Sequence, residues 1–184
     1  LFHKRMVNLT IFSFIGAIII CIGYTFVLLL NNNRYDELTK LLTKKVFVHD
    51  LNRLKRSKNN YAIIMMDVDD FKIINDSYGH PEGDIVLWRL GQIISKETTN
   101  EIKAYRYGGE EFVIIAEGSA SPYANKIAER IRHYMEEQGW EFAPDRIITI
   151  SAGIAVGCDK DDVVKEADNK LYISKSNGKN QITS

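Results

Sequence analysis

Two adjacent carboxylates follow a tight turn in residues 105–112, YRYGGEEF. The segments on either side, EIKAYRY and FVIIAE, predict two strands joined by a hairpin. Gly108 and Gly109 suit the turn because glycine reaches positive φ without a Cβ clash, and they let a phosphate or metal approach the backbone closely. Glu110 and Glu111 repel each other unless a cation is nearby, so the pair indicates a cation site. A hairpin with two surface glutamates is the alternative.

A second acidic group, DVDDFK at residues 67–72, ends the buried strand that NNYAIIMMDVDD predicts. Strand ends of such sheets are where ligands bind. Three carboxylates within four residues are unfavourable without a cation, although a solvated turn with an N-cap is the alternative. If the strands are neighbours, Asp67 and Glu110 can share a hard divalent cation such as Mg²⁺, which leaves space for substrate phosphates.

Two lysines supply positive charge late in the chain. Lys175 and Lys179 are four residues apart in KSNGKN, on or just after the last predicted helix, and would share one face. A solvated basic helix end, favoured by the helix dipole, is the alternative. A cation site, a phosphate-tolerant turn and two ammonium groups together indicate a site for a nucleoside triphosphate.

The elements that position these residues follow from the spacing of apolar side chains. Helices are predicted at residues 36–58, 71–80, 81–97, 122–137 and 161–180, and strands at 61–67, on both sides of the hairpin, and at 146–156. Gly178 is expected to close the last helix. Interleaved helices and strands predict an α/β or α+β domain with helices packed on a sheet.

The overall composition excludes some classes of function. Lys and Arg number 24, as do Asp and Glu, so the balanced charge argues against bulk nucleic-acid binding. Only two cysteines occur, Cys21 and Cys158, which argues against a disulfide framework and suits a reducing compartment.

Residues 9–30, LTIFSFIGAIIICIGYTFVLLL, contain no charged residue, His, Asn or Gln. As a helix they would extend about 33 Å, so a transmembrane helix is predicted in preference to a core helix or a signal peptide. Residues 1–8 are then an N-terminal flank, 31–35 a short linker and 36–184 one domain. Basic residues on both sides favour a cytoplasmic C-terminal side only weakly. Because the sequence begins with Leu1, a fragment or processed product is expected.

Several separated motifs resemble the GGDEF family of bacterial diguanylate cyclases. RYGGEEF resembles the family signature in its GGEEF form, and DVDDFKIINDSYGHPEGDIVL, SAGIA and ADNKLYISKSNGKN resemble further motifs in the family's order. The similarity covers residues 36–180. The resemblance implies a palm-like nucleotidyl-cyclase fold, with a central, mostly antiparallel sheet flanked by helices and preceded here by the transmembrane helix.

The resemblance also implies an activity. It predicts a membrane-anchored enzyme that condenses two GTP into cyclic di-GMP and two pyrophosphates with Mg²⁺ or Mn²⁺, acting as a homodimer. The domain would lie in the cytoplasm at the inner membrane, without a nucleic-acid partner, and would reach cyclic di-GMP effectors only indirectly. Two alternatives remain: a non-catalytic GTP-binding sensor or interaction module on the same fold, and a nucleotidyl cyclase that uses another purine or makes a mixed product.

Roles follow from the resemblance residue by residue. The metal ligands would be the Asp67 and Glu110 side chains and the Val68 carbonyl. Catalysis would involve Glu110, Glu111 and Lys72, with Glu111 bringing the 3′-hydroxyl to its attacking state. Asn75 and Asp84 would read guanine, since a carboxylate accepts from its N1–H and N2 donors. The residues around the triphosphate would be Asp70, Phe71, Lys72, Gly108, Gly109, Lys175 and Lys179.

The chain departs from the family's opening motif in DELTKLLTKKVF. Lys40 stands where the family has Gly, Thr43 where it has Asn, and Lys44 and Lys45 where it has Arg. That segment joins the domain to its input, so these departures bear on coupling more than on chemistry.

Two later departures concern ligands. Lys179 replaces an arginine, which keeps the charge but loses the bidentate fork. The positions of the family's R-x-x-D product-inhibition motif are residues 99–102, TNEI, without Arg or Asp. The sequence therefore predicts no product inhibition through that site.

Overall fold

The structure is a computed structural model that describes residues 14–28, 34–57, 59–157 and 162–184. Contacts divide the chain into two units, Leu1–Tyr35 and Asp36–Ser184. In the first unit residues 14–28 are helical, while the predicted flank 1–8 and the ends of the predicted span 9–30 lie outside the described residues. No helix in the described part is both long enough and apolar enough to cross a membrane.

The second unit alternates helices and strands. In chain order they are β1 (Leu42–Thr43), α1 (Lys44–Ser57), β2 (Tyr61–Val68), α2 (Phe71–Tyr78), α3 (His80–Ser95), β3 (Ile102–Arg106), β4 (Glu111–Glu117), a 3₁₀ helix (Gly118–Tyr123), α4 (Ala124–Glu136), β5 (Ile150–Gly157), α5 (Val163–Ser176) and β6 (Ile182–Thr183).

Within the described residues the strands form one sheet in the order β1-β3-β4-β2-β5-β6. The central strand β2 is antiparallel to β4 and β5, and β3 and β4 form the antiparallel hairpin. The short outer strands β1 and β6 pair in parallel with β3 and β5. The prediction of a mixed α/β domain with a central, mostly antiparallel sheet is confirmed, although the two outer strands were missed.

The strand β2 is buried at every position. Ile64 and Met66 pack in the core with α3 and α4, whereas Ile63 and Met65 pack in the core with α1 and α5. A strand covered on both faces needs apolar residues at successive positions, which explains the unbroken apolar run. Because side chains alternate along a strand, Asp67 continues the second series and lies on the α1 and α5 face.

The prediction of one helix over residues 36–58 is wrong at its beginning. Asp36 Oδ1 accepts hydrogen bonds from Thr39 N at 2.8 Å and Thr39 Oγ1 at 2.7 Å, which close a turn. Lys40 follows with φ 62°, a conformation that glycine adopts more readily and that cannot continue a helix. The chain then forms β1, and α1 begins only at Lys44.

The helix predicted over 122–137 begins later than expected. Pro122 lies inside the 3₁₀ helix, and α4 starts at Ala124. The predicted strand 146–156 also starts later, at Ile150, and Thr149 directly before it accepts a hydrogen bond from Asp69 N through its carbonyl oxygen.

The last helix is shorter than the predicted 161–180. It spans Val163–Ser176, and residue 161 lies outside the described part. Asn177 is the C-cap residue, and Gly178, the predicted cap, follows it one position later with φ 113°.

Gly153 lies in β5 beneath α5, where a Cβ would overlap the Ala167 carbonyl oxygen and the Leu171 amide nitrogen. We expect Gly153→Ala to lower the free energy of unfolding by about 3 kcal/mol, because the helix backbone must move. Gly139→Ala is the matched control, since a Cβ there meets no atom within 4 Å. Urea denaturation followed by tryptophan fluorescence compares the variants. Equal stability would contradict this close packing.

Candidate functional site

The end of β2 and the start of β4 bring the predicted carboxylates together. Asp67 pairs with Glu111 on one side and with Ser151 on the other. Val68 N donates to the Glu110 carbonyl oxygen at 3.4 Å. The two strands are therefore neighbours, which is the condition on which a shared cation site depended.

Asp67 is a buried carboxylate, with 6% of its surface exposed. Its Oδ1 accepts no hydrogen bond of good geometry and lies 2.7 Å from the ammonium of Lys175 on α5. Burial raises the pKa of Asp67 to about 6; Lys175 opposes this increase, while Glu110 and Glu111 add to it. The structure thus joins one predicted metal ligand to one predicted triphosphate ligand.

The next carboxylate, Asp69, has a structural role that the sequence reasoning missed. It is buried, and its oxygens accept from Thr149 Oγ1 and Ser151 Oγ, each at 2.7 Å. Asn180 N also donates to it, at 3.0 Å. Asp69 therefore ties the turn after β2 to β5 and to the segment after α5. The sequence does not reveal this role, because the residues that donate hydrogen bonds to Asp69 are 80 to 111 residues away.

The chain leaves β2 through Asp70, which has φ 55° and stands directly before α2. Phe71 is buried at the helix start and Lys72 is exposed. The first N–H groups of a helix have no carbonyl one turn earlier to bond, so they suit an anion. Lys179 Nζ lies 2.6 Å from Asp70 Oδ1, and this hydrogen bond raises the pKa of Lys179. Three of the residues predicted to surround the triphosphate, Asp70, Phe71 and Lys179, are thus close together.

The predicted guanine readers lie at the junction of α2 and α3. The Asn75 side chain packs against Gly83, where a Cβ would overlap Asn75 Oδ1. Asp84 is the next residue and is exposed to solvent. The two side chains therefore flank the same helix–helix contact.

The two glycines of the hairpin have different surroundings. A Cβ on Gly108 would overlap Glu111 Oε2, whereas a Cβ on Gly109 would meet no atom within 4 Å. A side chain at position 108 would therefore displace the Glu111 carboxylate from this position. Gly109 leaves open space beside the carboxylates, as a close phosphate would require.

Arg106 links the hairpin to the beginning of the domain, a contact that spacing alone does not reveal. Its Nη1 lies 3.0 Å and 3.1 Å from the two oxygens of Asp36. Its Nη2 and Nε donate to the Gly109 carbonyl oxygen at 2.8 Å and 3.3 Å. One guanidinium therefore connects the residue that begins the second unit to the turn that carries Glu110.

Burial alone would raise the pKa of Asp36, but hydrogen bonds from Thr39 and Arg106 outweigh it and hold the pKa below the ordinary value of 3.8. We expect Asp36→Asn to lower the free energy of unfolding by about 2 kcal/mol at neutral pH. Because the pKa is lowered, this stabilisation is complete above pH 3.8 and is lost as the pH falls through the folded-state pKa. Urea denaturation at several pH values measures it.

Glu37→Gln is the matched control for Asp36, since Glu37 is the exposed neighbouring carboxylate. A loss of stability in Asp36→Asn that is the same at every pH, or that Glu37→Gln reproduces, would contradict the charge-assisted link.

Lys44 contacts the hairpin from α1. Its Nζ lies 3.9 Å from the centre of the Tyr107 ring, which also makes an edge contact with Phe47 at 5.4 Å between centroids. A cleft of about 540 Å³ opens beside these side chains and reaches Glu111. Lys44, which stands where the family has arginine, thus contacts Tyr107 of the signature segment RYGGEEF.

Side chains of α4 form hydrogen bonds with Asn180, the residue after Lys179, which has φ 46°. Arg132 Nη1 donates to Asn180 Oδ1 at 2.8 Å, and Asn180 Nδ2 donates to Glu136 Oε1 at 2.7 Å. Since Asn180 N also contacts Asp69, this network fixes the backbone next to Lys179.

The donor set fits a hard divalent cation. Asp67 lies opposite Glu111, and Val68 N donates to the Glu110 carbonyl oxygen, so the Asp67 and Glu110 carboxylates belong to neighbouring chain segments. The buried Oδ1 of Asp67 accepts no hydrogen bond of good geometry. Oxygen donors of this kind are those that Mg²⁺ and Mn²⁺ prefer. Among the described residues, no group of three or more His, Cys, Asp or Glu side chains is arranged to hold a metal.

Solved structures with a similar fold are mixed α/β domains in which helices flank a central sheet. The coiled coil and GGDEF domain of DgcB from Caulobacter crescentus, in complex with c-di-GMP, is 26% identical with a TM-score of 0.84, over 91% of this chain and 94% of that one. The active GGEEF domain of a diguanylate cyclase from Vibrio cholerae is 32% identical with a TM-score of 0.65, over 73% and 88%. The family model described as diguanylate cyclase, GGDEF domain, matches residues 33–181. The chain belongs to the GGDEF family.

Curated relatives include uncharacterized membrane proteins of Staphylococcus aureus, among them one from strain USA300. The identity is 32% over 163 residues, which is 83% of this chain and 46% of the relative. The chain therefore spans a little less than half the length of these relatives.

Proposed function

We propose that this protein is a diguanylate cyclase that condenses two GTP into cyclic di-GMP and releases two pyrophosphates. The observation that carries the proposal is that Asp67, at the end of β2, lies beside the hairpin residues Glu110 and Glu111 in a GGDEF-family domain. The 32% identity to an active GGEEF domain supports it. A cyclase that uses another nucleotide would need residues at the positions of Asn75 and Asp84 that recognise a base other than guanine.

Asp67 and Glu110 are proposed to hold Mg²⁺ or Mn²⁺, with the Val68 carbonyl as a further ligand. The metal, when bound, neutralises phosphate charge and stabilises the charge that develops during transfer. The paired glutamates then remain ionised beside each other, because a cation offsets their repulsion.

The triphosphate is proposed to lie against the start of α2 and the hairpin turn. The N–H groups around Asp70 and Phe71 would bind its terminal phosphates, and the open space at Gly109 would admit them. Ammonium groups would neutralise the triphosphate charge from three positions, which are Lys72, Lys175 and Lys179.

Asn75 and Asp84 are proposed to select guanine. The carboxylate of Asp84 accepts from N1–H and N2–H₂, a donor pair that adenine lacks. The contact of Asn75 with Gly83 supports this reading, since it holds the amide beside Asp84.

The chemistry requires two domains, because each holds one GTP. The 3′-hydroxyl of one GTP attacks the α-phosphorus of the other, and the bond to the pyrophosphate oxygen breaks. Glu111 is proposed to take the hydroxyl proton. Two such steps form both phosphodiester bonds, so the active species is a homodimer.

Membrane anchoring through residues 9–30 is a further part of the proposal, with the catalytic domain in the cytoplasm at the inner membrane. Two observations support it. The segment lacks charged residues, and the curated relatives are called membrane proteins.

Product inhibition through an R-x-x-D site is not expected. Thr99 Oγ1 accepts from the N–H groups of Glu101 and Ile102, each at 3.2 Å, and closes a turn with no guanidinium or carboxylate at the motif positions. We expect added cyclic di-GMP to leave the initial rate unchanged. The double variant Thr99→Arg with Ile102→Asp restores the motif and should gain inhibition. Tight product binding at residues 99–102 of the parent would refute this.

A non-catalytic GTP-binding module is the second candidate, favoured by the ion pair that Lys175 makes with Asp67. Pyrophosphate release by the full chain in detergent, with each of the four nucleoside triphosphates and Mg²⁺, separates the candidates. We expect release from GTP alone. GTP binding without release, at concentrations where light scattering shows a dimer, would favour the sensor. Release from another nucleotide would indicate a different cyclase.

A further inference from the structure

Asp67 lies among negative charges and needs a positive partner. It is 6% exposed, pairs with Glu111 across the sheet and precedes Val68, whose N–H donates to the Glu110 carbonyl oxygen. A buried carboxylate without a cation is strongly unfavourable. The ammonium of Lys175, 2.7 Å from Asp67 Oδ1, supplies that positive charge.

Lys175 can leave this position without any movement of its helix. It lies in the last turn of α5, and its side chain is 35% exposed. The preceding residue, Ser174, is buried and donates to the Ala152 carbonyl oxygen at 2.7 Å, which fixes the backbone at this turn. The flexible four-carbon stem of lysine therefore lets only the ammonium move.

Lys179 provides an internal comparison. It carries the same charge four residues later, but its ammonium contacts Asp70, whose side chain is 40% exposed and is not a proposed metal ligand. The two lysines therefore serve the same proposed triphosphate, while only Lys175 contacts the proposed metal site.

We propose that Lys175 is an internal cation that competes with the divalent metal for Asp67 and is transferred to the triphosphate when nucleotide binds. This inference rests on the proposed function, in which Asp67 is a metal ligand. A dication at Asp67 Oδ1 would lie within a few ångströms of the ammonium and repel it. The triphosphate offers the ammonium a new partner and removes that repulsion.

The consequence is positive coupling between metal and nucleotide. Metal alone binds weakly, and each of the two raises the affinity for the other by the same factor. The site thus favours the metal–nucleotide complex over either component.

The test is a titration of Mn²⁺ alone into the full chain in detergent, with free Mn²⁺ measured by electron paramagnetic resonance. We expect Lys175→Met and Lys175→Gln to bind Mn²⁺ about tenfold more tightly than the parent, because the competing charge is gone. Lys179→Met, the matched control, should stay within about twofold, and Lys175→Arg should behave as the parent. Glutamine keeps a donor for Asp67 in case the methionine variant does not fold.

Unchanged or weaker Mn²⁺ binding in both neutral Lys175 variants would overturn the exchange. An equal gain in Lys179→Met would also overturn it, since the effect would then be one of net charge. A parallel titration adds an α,β-methylene analogue of GTP, which is expected to tighten Mn²⁺ binding in the parent but not in Asp67→Asn. If the analogue does not tighten Mn²⁺ binding in the parent, or tightens it equally in Asp67→Asn, the proposed metal site itself is wrong. If the analogue acts as expected but the Lys175 variants bind Mn²⁺ as the parent does, only the proposed exchange is rejected.

Discussion

Replacing Glu110 by glutamine is expected to lower the rate of cyclic di-GMP formation by about a thousandfold. Glutamine has nearly the same size, so the hairpin should keep its geometry, but the neutral amide is a poor ligand for a hard dication. The Glu110 carbonyl oxygen accepts from Val68 N, which places Glu110 next to the end of β2, and its carboxylate is proposed to bind the metal together with Asp67. Initial rates at saturating Mg²⁺ and GTP measure the loss.

Glu101→Gln is the matched control for this change. Glu101 is exposed and precedes β3, at the end of the hairpin that lies opposite the turn, where it accepts a hydrogen bond from Ser119. It should retain the parent rate. A Glu110→Gln variant that keeps more than about a tenth of the parent rate would contradict the metal-ligand role.

Replacing Asp84 by asparagine is expected to reduce kcat/KM for GTP by about a hundredfold, which corresponds to losing one charge-assisted pair of hydrogen bonds. Asparagine offers one acceptor and turns a donor toward the guanine donors. The preference for GTP over ITP, which lacks the 2-amino group, should shrink at the same time, because Asp84 is proposed to read that group.

The control for Asp84 is Asp76→Asn, which removes an exposed carboxylate from α2 next to Asn75. It should leave both kcat/KM and the GTP preference unchanged. If Asp84→Asn lowers kcat/KM for GTP and ITP by the same factor, Asp84 does not read the 2-amino group and the proposed two-donor contact to guanine is contradicted.

The central part of the fold was predictable because its signals are local. The strand β2 is apolar at successive positions, and the hairpin is marked by two glycines between apolar runs. The beginning of the domain was not predictable in the same way. Leu38, Leu41 and Leu42 have helical spacing, but Asp36 closes a turn there and β1 pairs with β3, residues 105–106. A long-range strand pairing overrides the local pattern.

In the candidate site too, residues in local motifs were predictable, whereas contacts between residues distant in sequence were not. The acidic residues of the motifs were predicted, and the sheet brings Asp67 beside Glu110 and Glu111 as expected. The contacts of Asp69, and the contact of Arg106 with Asp36, were missed because the partners are 70 to 111 residues away in the sequence. The contact between Lys175 and Asp67 also depends on how α5 packs on the sheet, which residue spacing does not give.

The most direct test of the central claim is the identity and stoichiometry of the product. The full chain in detergent, at a concentration where light scattering shows a dimer, is incubated with GTP and Mg²⁺ and the nucleotides are separated and weighed by mass spectrometry. We expect cyclic di-GMP with two pyrophosphates for each product molecule, and none from Glu110→Gln. GTP that binds to the dimer and is recovered unchanged, even when a fused coiled coil enforces dimerisation, would contradict the assignment as a diguanylate cyclase.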